Sequence, residues 1–436
     1  MKVTFCTYDD PNFTGGPNSW LRQLLPILQK HNVEINVLFF TYPEKLDNCP
    51  CYQDLYQQGI KCFVYKWISS TEQKIRWILQ NLFEHPTDIF VPNIIIPAYL
   101  ASRWIKEAGI STIGVLHADD EIYRGIIRQF VYGRPEFQLS ALVSVSEFLL
   151  ASAQQTAKLT TSTFTSTQFQ KIPCGTPISS NIASLSTDNL KLIYFGRLEE
   201  TQKRISEVTF ALCRAVKEIP GTEATIYGSG AAKPNVEKIL AEYGKNVPIK
   251  LGGLIDNSQI IKVISQHHVM VLLSDYEGLP LALLEAMSCG LVPICLDIRS
   301  GIPELVEHEI TGLMVSDRGD DFIKAVRQLK SQPELWKNLS LAARQKIETA
   351  YSTELCALQW IDLFTQLYEQ KKANQKILSI PKRLDLPPVD SGHSYFDCRQ
   401  TEFMWKRMIE KNPISLLLNR KLGIRTSLKN LVRAKT

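Results

Sequence analysis

The chain passes twice through the same alternation. Short apolar, β-branched runs are separated by longer stretches with a helical polar–apolar period, which is how βαβ units read in sequence. The first pass predicts strands over 3–8, 34–40, 61–65, 88–93, 112–116 and 141–146. The second predicts them over 190–195, 224–227, 249–251, 269–273, 292–296 and 313–315. Several are apolar on both faces, as strands of a parallel sheet covered by helices must be. A Ser/Thr-rich stretch over 160–168 reads as loop, and the polar, Ser/Asn-rich stretch 178–189 reads as the interdomain linker. The expected fold is therefore α/β: two Rossmann-like, doubly wound domains facing across a cleft.

The remaining length fits that frame. Beyond 321 the pattern is almost wholly helical to 375, with Ser352 placed to cap an amphipathic helix over 353–369. The expected divisions are an N-terminal Rossmann-like domain over 1–178 and a second Rossmann-like domain over 179–350. A helix packing back toward the first domain follows over 351–375, then a basic extension over 376–436. With 436 residues, two domains and an appendage are the natural reading.

Composition excludes several classes. No apolar run reaches eighteen residues, and the N-terminus enters a strand-like run without signal-peptide features, so a cytoplasmic location is expected. Ten cysteines and seven histidines show neither CxxC nor HExxH spacing, which argues for reduced thiols and no metal. The net charge of +5 is unevenly spread: residues 379–436 carry 12 Lys and Arg against 5 Asp and Glu. In the last 26 residues seven basic side chains are interleaved with Leu416–Leu418, Leu422, Ile424, Leu428 and Leu431, and none is acidic. This suits a helix on an anionic membrane, and equally a helix packed on the body or a partner-docking segment. Nucleic-acid binding has no aromatic platform or fold signal behind it.

Two motifs carry chemistry. Ser274-Asp-Tyr-Glu277-Gly278-Leu279-Pro280-Leu281-Ala-Leu-Leu-Glu285-Ala-Met-Ser-Cys-Gly290 follows an apolar strand. Pro280 is expected at the first helical position and Gly290 at the helix end. Glu277 and Gly278 thus fall in a tight loop at a strand's carboxyl end, and the amides from about Leu279 to Ala282, around Pro280 and Leu281, are helix-start donors suited to a diphosphate. Glu285, one and a half turns on, can accept two hydroxyl hydrogen bonds from a polyol. The second motif is Phe195-Gly196-Arg197-Leu-Glu-Glu-Thr-Gln-Lys203-Arg204. Its two cations at a strand-to-helix turn would neutralise a pyrophosphate, with Arg204 able to stand in for Lys203.

Together these residues resemble family 4 of the retaining glycosyltransferases (glycosyl transferases group 1), which have the GT-B fold, over about residues 2–370. The resemblance rests on the E-x7-E pair Glu277 and Glu285, on Arg197 and Lys203, and on the glycine loop Gly15-Gly16. It extends to His117 in Val115-Leu-His-Ala-Asp-Asp120, to Val143-Ser-Val-Ser-Glu147, to Ile302–Val306 and to Thr311–Val315. It implies that Glu277 binds the donor sugar, Glu285 the ribose, Arg197 and Lys203 the diphosphate, and Gly16 a close backbone approach. His117 would contact the sugar near the reacting carbon. The family usually has glycine where this chain has Arg204, and an acidic residue where Tyr227-Gly-Ser-Gly230 has serine.

Read alone, a His such as His117 after an apolar strand is more often a hydrogen-bonded structural residue, and Gly15-Gly16 suits any Rossmann-type first turn. Asp119 and Asp120 are acceptor-side candidates or simply solvated loop residues. The expected activity is retaining, metal-independent transfer from a nucleoside-diphosphate sugar to a glycan, lipid-linked or small-molecule acceptor, with no cofactor. The alternatives are a non-catalytic binding subunit, or another GT-B enzyme such as a sugar-nucleotide epimerase or phosphorylase.

Overall fold

In the computed structural model, residues 1–11, 15–156, 165–185, 189–255, 259–394, 397 and 399 are described. The first sheet consists of β1 (Lys2–Tyr8), β2 (Glu34–Thr41), β3 (Lys61–Lys66), β4 (Ile89–Asn93), β5 (Ser111–Leu116), β6 (Ala141–Ser144) and β7 (Gln168–Lys171). All seven are parallel, in the order β3-β2-β1-β4-β5-β6-β7. The second sheet holds β8 (Leu190–Phe195), β9 (Thr222–Tyr227), β10 (Ile249–Gly253), β11 (Val269–Leu272), β12 (Val292–Leu296) and β13 (Leu313–Val315). It is also parallel, ordered β10-β9-β8-β11-β12-β13.

β7 was not expected. Its sequence, Gln-Phe-Gln-Lys, is polar at three of four positions and half-buried, because it is the edge strand beside β6 and needs only one covered face. The central strands are buried along their whole length, as β4, β5 and β12 show. Each sheet reverses direction of growth once, between β1 and β4 and between β8 and β11. At such a switch point the flanking crossovers leave in opposite directions and open a crevice at the strands' carboxyl ends.

The last long helix, Thr353–Lys371, is capped as expected: the Ser352 hydroxyl accepts from the Leu355 amide at 3.3 Å. Its buried face, including Trp360, Leu363 and Phe364, returns to the first domain. There Trp20 of the Gly16–Lys30 helix lies 5.6 Å from Trp360, and Phe5 of β1 lies 6.4 Å from Phe364. The chain beyond it straps the first domain. Arg128 pairs with Asp390 at 2.7 Å, Gln129 donates to the Pro388 carbonyl, and buried His393 bonds to Gln129 and the Ile122 carbonyl. The basic stretch over 416–433 lies outside the described residues. Among the described residues, no helix is long and apolar enough to cross a membrane.

Candidate active site

Both charged motifs stand over the switch point of the second sheet. Arg197 follows β8 in a turn held by the Tyr194 hydroxyl, which donates to the Arg197 carbonyl at 2.7 Å. The glycines of Gly228-Ser229-Gly230 brace the same turn. A β-carbon on Gly228 would fall 1.9 Å from the Gly196 carbonyl oxygen, and Leu198 N–H donates to the Ser229 carbonyl. These glycines therefore serve close backbone packing.

Glu277 leaves the loop after β11 and is buried, 6% exposed, facing Lys203, 13% exposed. The Lys203 ammonium is ion-paired with the Glu277 carboxylate. Gln202 ties the cluster together, donating to the Tyr276 carbonyl at 2.9 Å and to Glu277 at 3.2 Å while accepting from Arg197 at 2.7 Å. One guanidinium, one ammonium and one carboxylate are thereby gathered at a strand-end crevice.

Arg204 does not join them. It pairs with Glu207 and, at 3.5 Å, with Asp275, so it is no substitute for Lys203. Its backbone is left-handed, φ +49°, at the cap of the Ile205–Glu218 helix. That conformation is open to glycine without strain, and it costs a side-chain-bearing residue about 1 kcal/mol.

The helix carrying the second glutamate begins one residue later than expected. Leu281–Ser288 is helical and Pro280 is its cap, with extended ψ of 113°. Gly290 ends it in the left-handed region, φ +76°. Glu285 is reached from the other domain: the Gln23 side-chain amide, from the Gly16–Lys30 helix, donates to its carboxylate at 2.9 Å. Burial pushes the Glu285 carboxyl up to about 7, against the pull of Gln23 and Arg22. Gly15 caps the Gly16–Lys30 helix without a side-chain bond, and a β-carbon on Gly16 would meet open space.

The first domain contributes the ends of β1, β4 and β5. His117, just past β5, is bonded through Nε2 to the Asn93 amide oxygen at 2.9 Å, and its ring lies 5.0 Å from Trp20. Burial pushes its pKa down to about 3, so it is uncharged near neutrality. Asn93 itself is fully buried, with φ +46°. Asp9, at the end of β1, is buried and accepts from the Tyr52 amide at 2.8 Å; desolvation raises its carboxyl to about 7. Neighbouring Tyr8 is pushed up to about 12 by burial and Asp10, with Arg197 of the other domain pulling it back. Tyr8, Asp9, Gln23 and Asn93 were not singled out from sequence. For Tyr8, Asp9 and Asn93 the available signal was position at the end of a central strand.

The acceptor-side candidates are committed locally. Asp120 caps the Glu121–Phe130 helix, accepting from the Ile122 and Tyr123 amides, while Asp119 pairs with Arg124 at 2.9 Å. Neither is the freely solvated carboxylate that the loop reading allowed. Among the described residues, no three His, Cys, Asp or Glu side chains gather as a metal site, and the nine described cysteines are free thiols.

The two sets meet at backbone contact. A β-carbon on Gly278 would lie 2.0 Å from the His117 carbonyl oxygen, and one on Gly301 would lie 1.9 Å from the Gly278 carbonyl oxygen. Glu304, from the segment 302–306, accepts from the Phe148 amide of the first domain at 3.2 Å.

Residues 177–346 match the family described as Glycosyl transferases group 1. The match covers less than half of the chain. Among the chain's curated relatives is the amylovoran biosynthesis glycosyltransferase AmsK of Erwinia amylovora. It is 30% identical over 186 residues, which are 41% of this chain and 45% of AmsK. The GtfA subunit of the UDP-N-acetylglucosamine–peptide N-acetylglucosaminyltransferase of Streptococcus pneumoniae is 30% identical over 43% of this chain and 38% of its own length. The chain thus spans less than half the length of these curated relatives. The fold extends further. Anabaena HepE, solved in complex with UDP, superposes with a TM-score of 0.67 at 15% identity, over 84% of this chain and all of HepE. Sucrose-phosphate synthase of Thermosynechococcus elongatus gives 0.63 at 18% identity, over 85% of this chain and all of its own. The chain has the GT-B fold.

Proposed function

We propose that the chain is a retaining glycosyltransferase that moves a sugar from a nucleoside-diphosphate sugar to a glycan, a lipid-linked sugar or a small-molecule acceptor. One observation carries this reading: Arg197, Lys203 and Glu277 are gathered over the second sheet's switch point while the loop of Glu277 touches the backbone of His117. AmsK, named as an amylovoran biosynthesis glycosyltransferase, and HepE, solved with UDP, support a nucleotide-sugar donor and a glycan acceptor.

The residues suggest the chemistry. A diphosphate entering the crevice competes with Glu277 for the Lys203 ammonium and with Gln202 for Arg197. The released Glu277 carboxylate is then free to accept sugar hydroxyls. As the bond between the anomeric carbon and the phosphate oxygen breaks, both cations stabilise the charge that develops on the leaving group, so the site needs no resident metal for that task. The acceptor oxygen bonds to the anomeric carbon from the same face, and its proton passes to the departing phosphate oxygen. Retention by this route needs no protein nucleophile, consistent with Asp119 and Asp120 being engaged elsewhere. An uncharged His117 can hydrogen-bond the sugar without adding charge.

The test is a thermal-shift screen against UDP-, GDP- and ADP-sugars with Glu285→Ala as control, followed by NMR of the product anomer. A ligand at 100 times its dissociation constant stabilises by about 2.7 kcal/mol, a readable shift. Inversion at the anomeric carbon would remove the retaining mechanism. Nucleotide binding with neither transfer nor donor hydrolysis would instead favour a binding subunit.

For the tail we propose that its basic and apolar residues hold the enzyme at the cytoplasmic face of an anionic membrane, where lipid-linked acceptors lie. Unchanged binding to phosphatidylglycerol liposomes after deletion of residues 379–436 would dispose of this.

A further inference from the structure

Gln23 of the first domain bonds to the Glu285 carboxylate of the second, and its own amide is only half satisfied. Its Nε2 donates to Glu285 at 2.9 Å, while its own Oε1 is buried among protein atoms with no hydrogen-bond donor. A buried acceptor without a donor is costly, and native structures keep one chiefly where a ligand or water supplies the missing proton. Two acceptors, the Glu285 carboxylate and the Gln23 amide oxygen, thus stand side by side, one from each domain.

A vicinal diol matches this pair. Each hydroxyl donates one proton and accepts through its lone pairs. One can donate to Glu285 and the other to Gln23 Oε1, while Gln23 Nε2 remains available as donor to either oxygen. Placement agrees. Gln23 lies seven residues, two helical turns, beyond Gly16 in the Gly16–Lys30 helix, about 10 Å along its axis. That separates a phosphate at the open glycine end from a ribose beside Glu285 by a distance suited to a nucleoside diphosphate.

We propose that Gln23 of the first domain is a ribose-recognition residue, which with Glu285 reads the 2′,3′-diol of the donor nucleotide across the domain seam. This builds on the reading of the cleft as a nucleoside-diphosphate-sugar site. It makes ribose recognition a joint property of both domains, so the nucleotide itself draws them together.

Calorimetric titration of the full chain with UDP, GDP and ADP and their 2′,3′-dideoxy counterparts tests it. Wild type should prefer the ribonucleotide it binds about 10–100-fold over the dideoxy form. In Gln23→Met, close in shape but without polar atoms, that preference should fall at least about fivefold, with dideoxy affinity changed less than about twofold. Gln23→Glu, which restores an acceptor but removes the donor facing Glu285, should not recover it at pH 8. If Gln23→Met weakens both forms equally, or neither, Gln23 acts only in packing and the inference fails. If wild type binds none of the three ribonucleotides, the site reading fails, and this inference with it.

Discussion

The peptide at Gly278 lies flat against the carbonyl of His117, so closely that a β-carbon there would be 2.0 Å from the oxygen. Glycine at this position sets how near the Glu277 loop comes to the first domain.

Gly278→Ala should therefore part the domains locally while leaving the second sheet intact. Misplacement by about 1 Å costs on the order of 10²-fold in rate where reacting groups must be aligned. Transfer should fall by about that factor, with melting within a few degrees of wild type and nucleotide binding retained. Turnover within threefold of wild type would show that the seam opens freely during catalysis.

Lys203 and Glu277 are paired and nearly buried, so their removal should not be additive. Lys203→Ala leaves an uncompensated carboxylate, Glu277→Gln leaves an ammonium, and each alone should destabilise more than the double change does. For turnover, Lys203→Ala and Arg197→Ala should each lower kcat by about 10²–10³. A near-normal rate for Arg197→Ala would remove it from the leaving-group role.

Glu285 makes stability depend on pH. Its folded carboxyl is raised to about 7 from an ordinary value of 4.5, so the folded protein holds a proton that the unfolded chain releases. Stability from this group is full below about pH 4.5 and is lost as pH rises through 7. Glu285→Gln should raise the melting temperature at pH 8 relative to wild type and leave it nearly unchanged at pH 4.5, while abolishing the nucleotide-induced shift. A uniform change at both pH values would contradict the assignment.

Arg204 holds a left-handed backbone and faces Glu207 and Asp275 at an exposed surface. Exposed pairs of this kind contribute about 0–1 kcal/mol. Arg204→Gly relieves about 1 kcal/mol of backbone strain, so its melting temperature should stay level or rise by a few degrees. Its kcat should remain within twofold of wild type; a tenfold loss would mean that Arg204 reaches the diphosphate after all.

Much of this architecture is legible in the chain before any coordinates. The two β–α alternations, the cap at Ser352, the strand-end turns of Arg197 and Glu277, the turn position of Lys203 and the helix position of Glu285 follow from local period and turn chemistry. β7 escaped notice because an edge strand needs no apolar run. Pro280 proved to be the cap of its helix, one residue before the expected start, because proline fixes φ but leaves ψ free to stay extended.

Other features depend on the fold alone. That Arg204 pairs with Asp275 away from the cleft and that Gln23 reaches Glu285 across 262 residues of sequence are outcomes of packing. Apart from the edge strand β7, the sequence by itself determined which strands form and that they build two sheets, because these depend on neighbours a few positions apart. Only the tertiary structure decided which charges are partnered and which are free, because that depends on how two separately folded sheets meet at Gly278 and His117.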